Sequence, residues 1–196
     1  LPMEPLDTKF LFFSLHKTVG IAAFAVALTR IIWALTQPRP APVHPERKLE
    51  NFMAELMHWT LYAAMVLVPL TGWIEHAATE GYAPILWPFG QNLPLVPNSP
   101  ALAHLMASLH IAFVWVLISA IALHIAGAMK HVVIDRDGVL ARMLRGHPSG
   151  TGGPHRHNMV PALGAFAVLL AGAAWAVTSG SNQPQPTPAL ETAASE

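Results

Sequence analysis

Apolar residues run almost unbroken through residues 10–35, 52–74, 102–131 and 159–178, and polar residues collect between them. Each stretch supplies the roughly 20 residues a helix needs to cross a hydrocarbon layer of about 30 Å. In lipid a helix satisfies its own backbone, so the pattern predicts an all-α integral membrane bundle with four spans running up and down, antiparallel to one another. Pro69 falls inside the second stretch and predicts a kink there, because neighbouring helices can satisfy the carbonyl it frees. Residues 37–50, QPRPAPVHPERKLE, read as an extended connector, since proline denies helical hydrogen bonds; His44 within it reads as a solvated histidine. Residues 75–100 hold prolines, glycines and the aromatics Tyr82, Trp87 and Phe89 but no Lys or Arg, which predicts a cap packed on the membrane surface. Beyond the third span, residues 139–144 predict a short interfacial helix, 146–158 a flexible linker and 179–196 a disordered tail or the start of a linker.

Composition strengthens the membrane assignment. The chain of 196 residues is 53% hydrophobic and 11% charged, where a soluble domain is about 25% charged. It has no cysteine, which excludes disulfides, iron–sulfur clusters and thiolate ligation. The net charge of zero says little, but its distribution says more. Arg39, Arg47 and Lys48 lie between spans one and two, and Lys130, Arg136, Arg142, Arg145 and Arg156 beside or between spans three and four. The positive-inside rule then places both connections in the cytoplasm and both termini of this chain outside, with the protein multi-pass in its membrane. No basic segment precedes the first span, so no cleavable signal peptide is expected, and no nucleic-acid partner is expected either.

Histidines supply the chemistry. His110 and His124 are fourteen residues apart in the third span; at about 100° per residue they fall within about 40° of one face, roughly 21 Å apart along the axis. Ionisable groups are costly in a bilayer and mark function by default. The topology puts His16 at the outer level with His110, and His58 at the inner level with His124. Gly20, one turn from His16, leaves room for something flat. Two axial histidines suit a haem iron held for electron transfer, whereas zinc wants about four ligands including thiolates or carboxylates, and Glu55 is the only acid near His58. His104 and His131 read as interfacial, and His131 with Lys130 is a candidate for a quinone head group or a haem propionate. Arg30 and Lys130 on the inner side and Lys17 on the outer side are candidates to neutralise propionates, with snorkelling to the interface as the alternative. Two rivals stand beside an electron carrier: a haem-free protein using histidines as a proton or metal-ion path, and a plain membrane anchor for a periplasmic domain. Intramembrane relays usually include Asp or Glu, which spans one, three and four lack.

The segments SLHKTVG, MHW…VLVPLTGW and LHIAGAMKH followed by DRDGVLARML resemble the bacterial cytochrome b561 family, which in turn resembles the membrane cytochrome b subunits of hydrogenases. The resemblance covers roughly residues 8–145 and makes 1–145 the haem-binding bundle, 146–158 a linker, 159–178 an added span and 179–196 a periplasmic tail. It implies two b-type haems, with His16 and His110 on the outer iron and His124 on the inner one. It also implies electron transfer between quinone and a redox partner protein or superoxide. The usual helix carrying the inner haem's second ligand has no counterpart before Phe10, and His58 does not occupy a usual ligand position. Either that first helix is missing, which the start at Leu1 favours, or His58 takes its place. Some relatives continue into a periplasmic YceI-like domain, and the tail is compatible with such a linker.

Overall fold

The third apolar stretch begins where Ser99 accepts a hydrogen bond from the Leu102 N–H (3.4 Å) and Pro100 sets the first turn, an N-terminal pairing that satisfies one of the helix's orphan donors. The computed structural model describes residues 5–37, 42, 44–79, 83–88, 93–138 and 160–180. Helix α1 spans Pro5–Thr36, α2 Lys48–Ala78, α3 Pro100–Lys130 and α4 Val160–Gly180. All four are long and apolar enough to cross a membrane, and no strand occurs among the described residues. The expected all-α, four-span bundle is therefore present. Helix α2 starts at Lys48, so part of the segment expected to be extended is helical. The prolines stop at Pro45, and Glu50 sits favourably at the positive end of the new helix. The expected interfacial helix at 139–144, the linker at 146–158, Tyr82, Phe89 and nearly all of the tail lie outside the described residues.

Contacts at the helix ends fix the direction of the spans. The Ser99 N–H bonds the Ala78 carbonyl (3.0 Å), so α3 starts where α2 stops. At the other end Lys130 reaches Glu50 (2.9 Å), which joins the close of α3 to the opening of α2. Lys17, early in α1, meets His76, late in α2. Helices α1, α2 and α3 thus alternate up and down. Helix α4 lies in the groove between α2 and α3, where a Cβ on Gly164 would meet Leu56 Cδ1 at 3.0 Å and one on Gly172 would meet Val116 Cγ2 at 3.3 Å. Small residues let membrane helices approach in this way. Pro69 sits within α2 without ending it; nearby, Thr71 Oγ1 donates to the carbonyls of Leu67 and Val68.

Helix α1 packs on α2 and has little contact with α3, so a slot bridged by side chains separates α1 from α3. Outward faces of α1, α3 and α4 present Phe12, Val26, Trp115, Leu123, Leu163 and Phe166, each more than half exposed. In water such a surface would aggregate; in a bilayer it faces acyl chains.

Candidate functional site

Two histidine pairs form at two depths. His16 from α1 and His110 from α3 face each other across the slot, with ring centroids 6.2 Å apart and planes at 86°. His58 from α2 and His124 from α3 approach to 5.3 Å at an interplanar angle of 62°. All four expected ligand positions are thus brought together in the expected combinations. A metal–imidazole bond is about 2 Å long, so two imidazoles on opposite sides of one iron have centroids roughly 6 Å apart. The His16–His110 pair, expected at the outer level, matches that spacing; the His58–His124 pair, expected at the inner level, sits about an ångström inside it, on two helices that pack closely together.

The outer site is also prepared behind the ligand. His110 Nδ1–H donates to the Val68 carbonyl at 2.8 Å, with Thr71 Oγ1 at 3.5 Å. That bond puts the proton on Nδ1 and leaves Nε2 as the acceptor nitrogen, the arrangement found in metal-binding imidazoles. Gly72 makes the approach possible: a Cβ there would sit 3.1 Å from both Cε1 and Nδ1 of His110. His16 is exposed and borders an apolar hollow of about 390 Å³ lined by Phe12, Leu15, Val19, Gly20 and Ala23. Nothing lies within 4 Å of where a Gly20 side chain would begin, in keeping with room for a flat group. The residues present therefore fit a bis-histidine haem at the outer level. At the inner level Glu55, one turn before His58, buries Oε2 without a hydrogen-bond partner.

The cationic candidates have definite places. Lys17 donates to His76 Nδ1 (3.0 Å) and to the Ala83 carbonyl (3.1 Å), fastening α1 to the end of α2 and the loop after it. Arg30 is exposed on α1. Lys130 bonds both Glu50 and Asp135 at 2.9 Å. Arg47 joins the same carboxylates at 3.1 Å to Asp135 and 3.3 Å to Glu50, and these hydrogen bonds, Asp135 first, hold its guanidinium above its ordinary range. His131 Nδ1 lies 2.8 Å from Asp137 Oδ2 and 3.3 Å from Asp135 Oδ2.

Two further histidines, His44 and His76, are packed rather than solvated. His44, expected to be solvated, is half-buried: its Nε2 lies 3.2 Å from Asp137 and its Nδ1 3.2 Å from Glu46. Its partner Asp137 is 93 residues away, so local composition gave no sign of the contact. His76 is 2% exposed and was not singled out. The signal available was Lys17, a cation inside an apolar stretch that needs an acceptor at its own depth.

Paired histidines between membrane helices, with one imidazole fixed by a backbone carbonyl, are the ligand arrangement of a membrane b-type cytochrome. The chain belongs to the prokaryotic cytochrome b561 family, whose profile matches residues 2–146. It is similar to Cytochrome b561 homolog 2 of Escherichia coli (strain K12), 26% identical over 66% of this chain and 69% of that one. Cytochrome b561 homolog 1 of the same organism is 28% identical over 70% of this chain and 77% of its own. The Probable superoxide oxidase CybB of Yersinia pestis is 27% identical over 66% and 73%. No solved structure matches the chain. The protein is thus a multi-pass membrane cytochrome of an electron-transfer family.

Proposed function

We propose that this protein moves electrons across a bacterial inner membrane between two haem b groups, from superoxide or a redox partner protein at the outer face to a quinone at the inner face. The observation that carries the proposal is the His16–His110 pair, spaced 6.2 Å across the slot between α1 and α3. Haem b supplies one-electron Fe(III)/Fe(II) chemistry. His16 and His110 would hold the outer group, and the Val68 carbonyl would keep His110 in the tautomer whose Nε2 can ligate. His124 would hold the inner group, with His58 as the partner this chain offers at that depth. His131, just beyond the end of α3, would meet a quinone head group, with Lys130 beside it held by Glu50 and Asp135. The relative described as a superoxide oxidase supports the choice of superoxide as an outer electron source.

A reduced-minus-oxidised optical spectrum of the purified protein tests the proposal. A sharp b-type α-band is expected, and its absence rules haem out. His110→Ala is expected to remove one haem and His124→Ala another, counted by pyridine haemochrome per protein. A haem count unchanged in both variants would contradict the ligand assignment.

A further inference from the structure

The inner end of α3 departs from regular winding in a way that builds a chain of hydrogen bonds. His131–Asp135 is π-wound, and Arg136 follows at φ +51°, a left-handed conformation unusual outside glycine. Together the wide turn and the reversal bring Asp137 back against His131, two positions beyond the end of the π-turn. The Asp137 side chain is only 7% exposed, and its Oδ2 faces both His131 Nδ1 (2.8 Å) and His44 Nε2 (3.2 Å). The other nitrogen of His44 faces Glu46 (3.2 Å), which is 67% exposed. A continuous line therefore runs from water at Glu46, through a half-buried imidazole and a buried carboxylate, to His131. His131 is seven residues beyond His124, within about 20° of the same face and roughly 10 Å further along the axis.

We infer that Glu46, His44, Asp137 and His131 form a proton relay that serves quinone reduction at the inner face. The inference rests on the electron-carrier function proposed above. Its chemical motive is balance: a quinone becomes a hydroquinone by taking two electrons and two protons, and reduced haem supplies only the electrons. In each transfer His131 gives the proton on Nε2 to a quinone oxygen while Nδ1 receives one from the Asp137 carboxyl group. Asp137 is refilled from His44 Nε2–H, and His44 is refilled at Nδ1 from water at Glu46. After each transfer both imidazoles carry their proton on Nδ1, and exchange of that proton back to Nε2 resets them; two such cycles, with two electrons, complete one hydroquinone. An imidazole between two carboxylates suits this task, because each ring nitrogen already has a proton-exchanging neighbour. The neighbouring charges touch the line at one point: Lys130 and Arg47 each bridge Glu50 and Asp135, and Asp135 Oδ2 lies 3.3 Å from His131 Nδ1, the same nitrogen that faces Asp137.

The test compares two oxidants on haem-loaded protein reduced beforehand. A water-soluble short-chain quinone takes electrons with protons; ferricyanide takes electrons alone. In His44→Ala, haem reoxidation by quinone is expected to slow about a hundredfold, the scale of a positioned proton donor, while reoxidation by ferricyanide and the α-band stay as in the parent. Added imidazole is expected to restore the quinone rate, which a merely structural histidine would not allow. Asp137→Asn, which keeps shape and removes the exchangeable proton, is expected to show the same split between oxidants. Unchanged quinone rates in both variants, equal slowing with ferricyanide, or no recovery with imidazole would overturn the relay. A parent protein without an α-band, or with haem that quinone does not oxidise, would instead overturn the electron-carrier function and the relay with it.

Discussion

At the scale of single residues, the outer site depends on what stands behind the ligand as much as on the ligand. His110 is held by a carbonyl of α2, and that approach exists because position 72 has no side chain. Gly72→Ala is therefore expected to keep the outer haem but push the His110 ring aside by a few tenths of an ångström, lengthening its bond to Val68. Outer-shell changes of this kind typically lower metal affinity about tenfold or more. Haem titration is expected to show weaker binding, and low-spin electron paramagnetic resonance a shifted signal; a spectrum and affinity identical to the parent would contradict the role given to Gly72. The histidines themselves were legible in the sequence, because an ionisable group in an apolar span needs a reason and helical spacing shows which share a face. Gly72 and the Val68 carbonyl were not legible, since a carbonyl is present at every position and a missing side chain matters only once the facing ring is known.

At the scale of elements, α4 offers a clean separation between packing and chemistry. It brings no histidine to the bundle and lies against α2 and α3 through Gly164 and Gly172. Gly172→Leu would overpack a contact that is already 3.3 Å from an ideal Cβ to Val116, at a cost of roughly 1–3 kcal/mol. Thermal unfolding in detergent is expected at lower temperature with the haem count unchanged. Loss of haem in this variant would mean that α4 supports the site directly. The π-turn gives a second prediction in the opposite direction. Arg136 occupies a left-handed conformation that costs a residue with a Cβ about 1 kcal/mol, so Arg136→Gly is expected to stabilise the protein by up to that amount with His131 and Asp137 still in contact. A lower unfolding temperature would show that the Arg136 side chain does more than tolerate the turn. The four helices were evident from hydrophobic run length alone, including the proline that does not end its helix. The π-turn was not, because winding to i+5 leaves no compositional mark.

At the scale of the whole molecule, the distribution of charge sets which end faces the cytoplasm, and a sequence without cysteine lets single introduced thiols report it. Basic residues gather at the end bearing Arg47, Lys130 and Arg136, where the ion lattice and the His44–Asp137–His131 line also lie. The opposite end carries the Lys17–His76 contact and a loop whose Leu95 is 94% exposed. Charge bias in short loops sets membrane orientation, so the basic end is expected inside. Placing one cysteine at a time makes this measurable: Leu95→Cys on the outer loop and Pro45→Cys in the exposed turn of the inner loop. In intact spheroplasts a membrane-impermeant maleimide is expected to label the Leu95→Cys protein at once and the Pro45→Cys protein only after permeabilisation. The reverse pattern would turn the bundle over, and with it the assignments. Quinone would then meet the His131 end at the periplasmic face, electrons would enter at His16 and His110 from the cytoplasmic side, and protons for quinone reduction would be drawn from outside. Orientation thus decides whether turnover consumes cytoplasmic or periplasmic protons, a difference that a pH-sensitive dye trapped inside oriented vesicles reads directly.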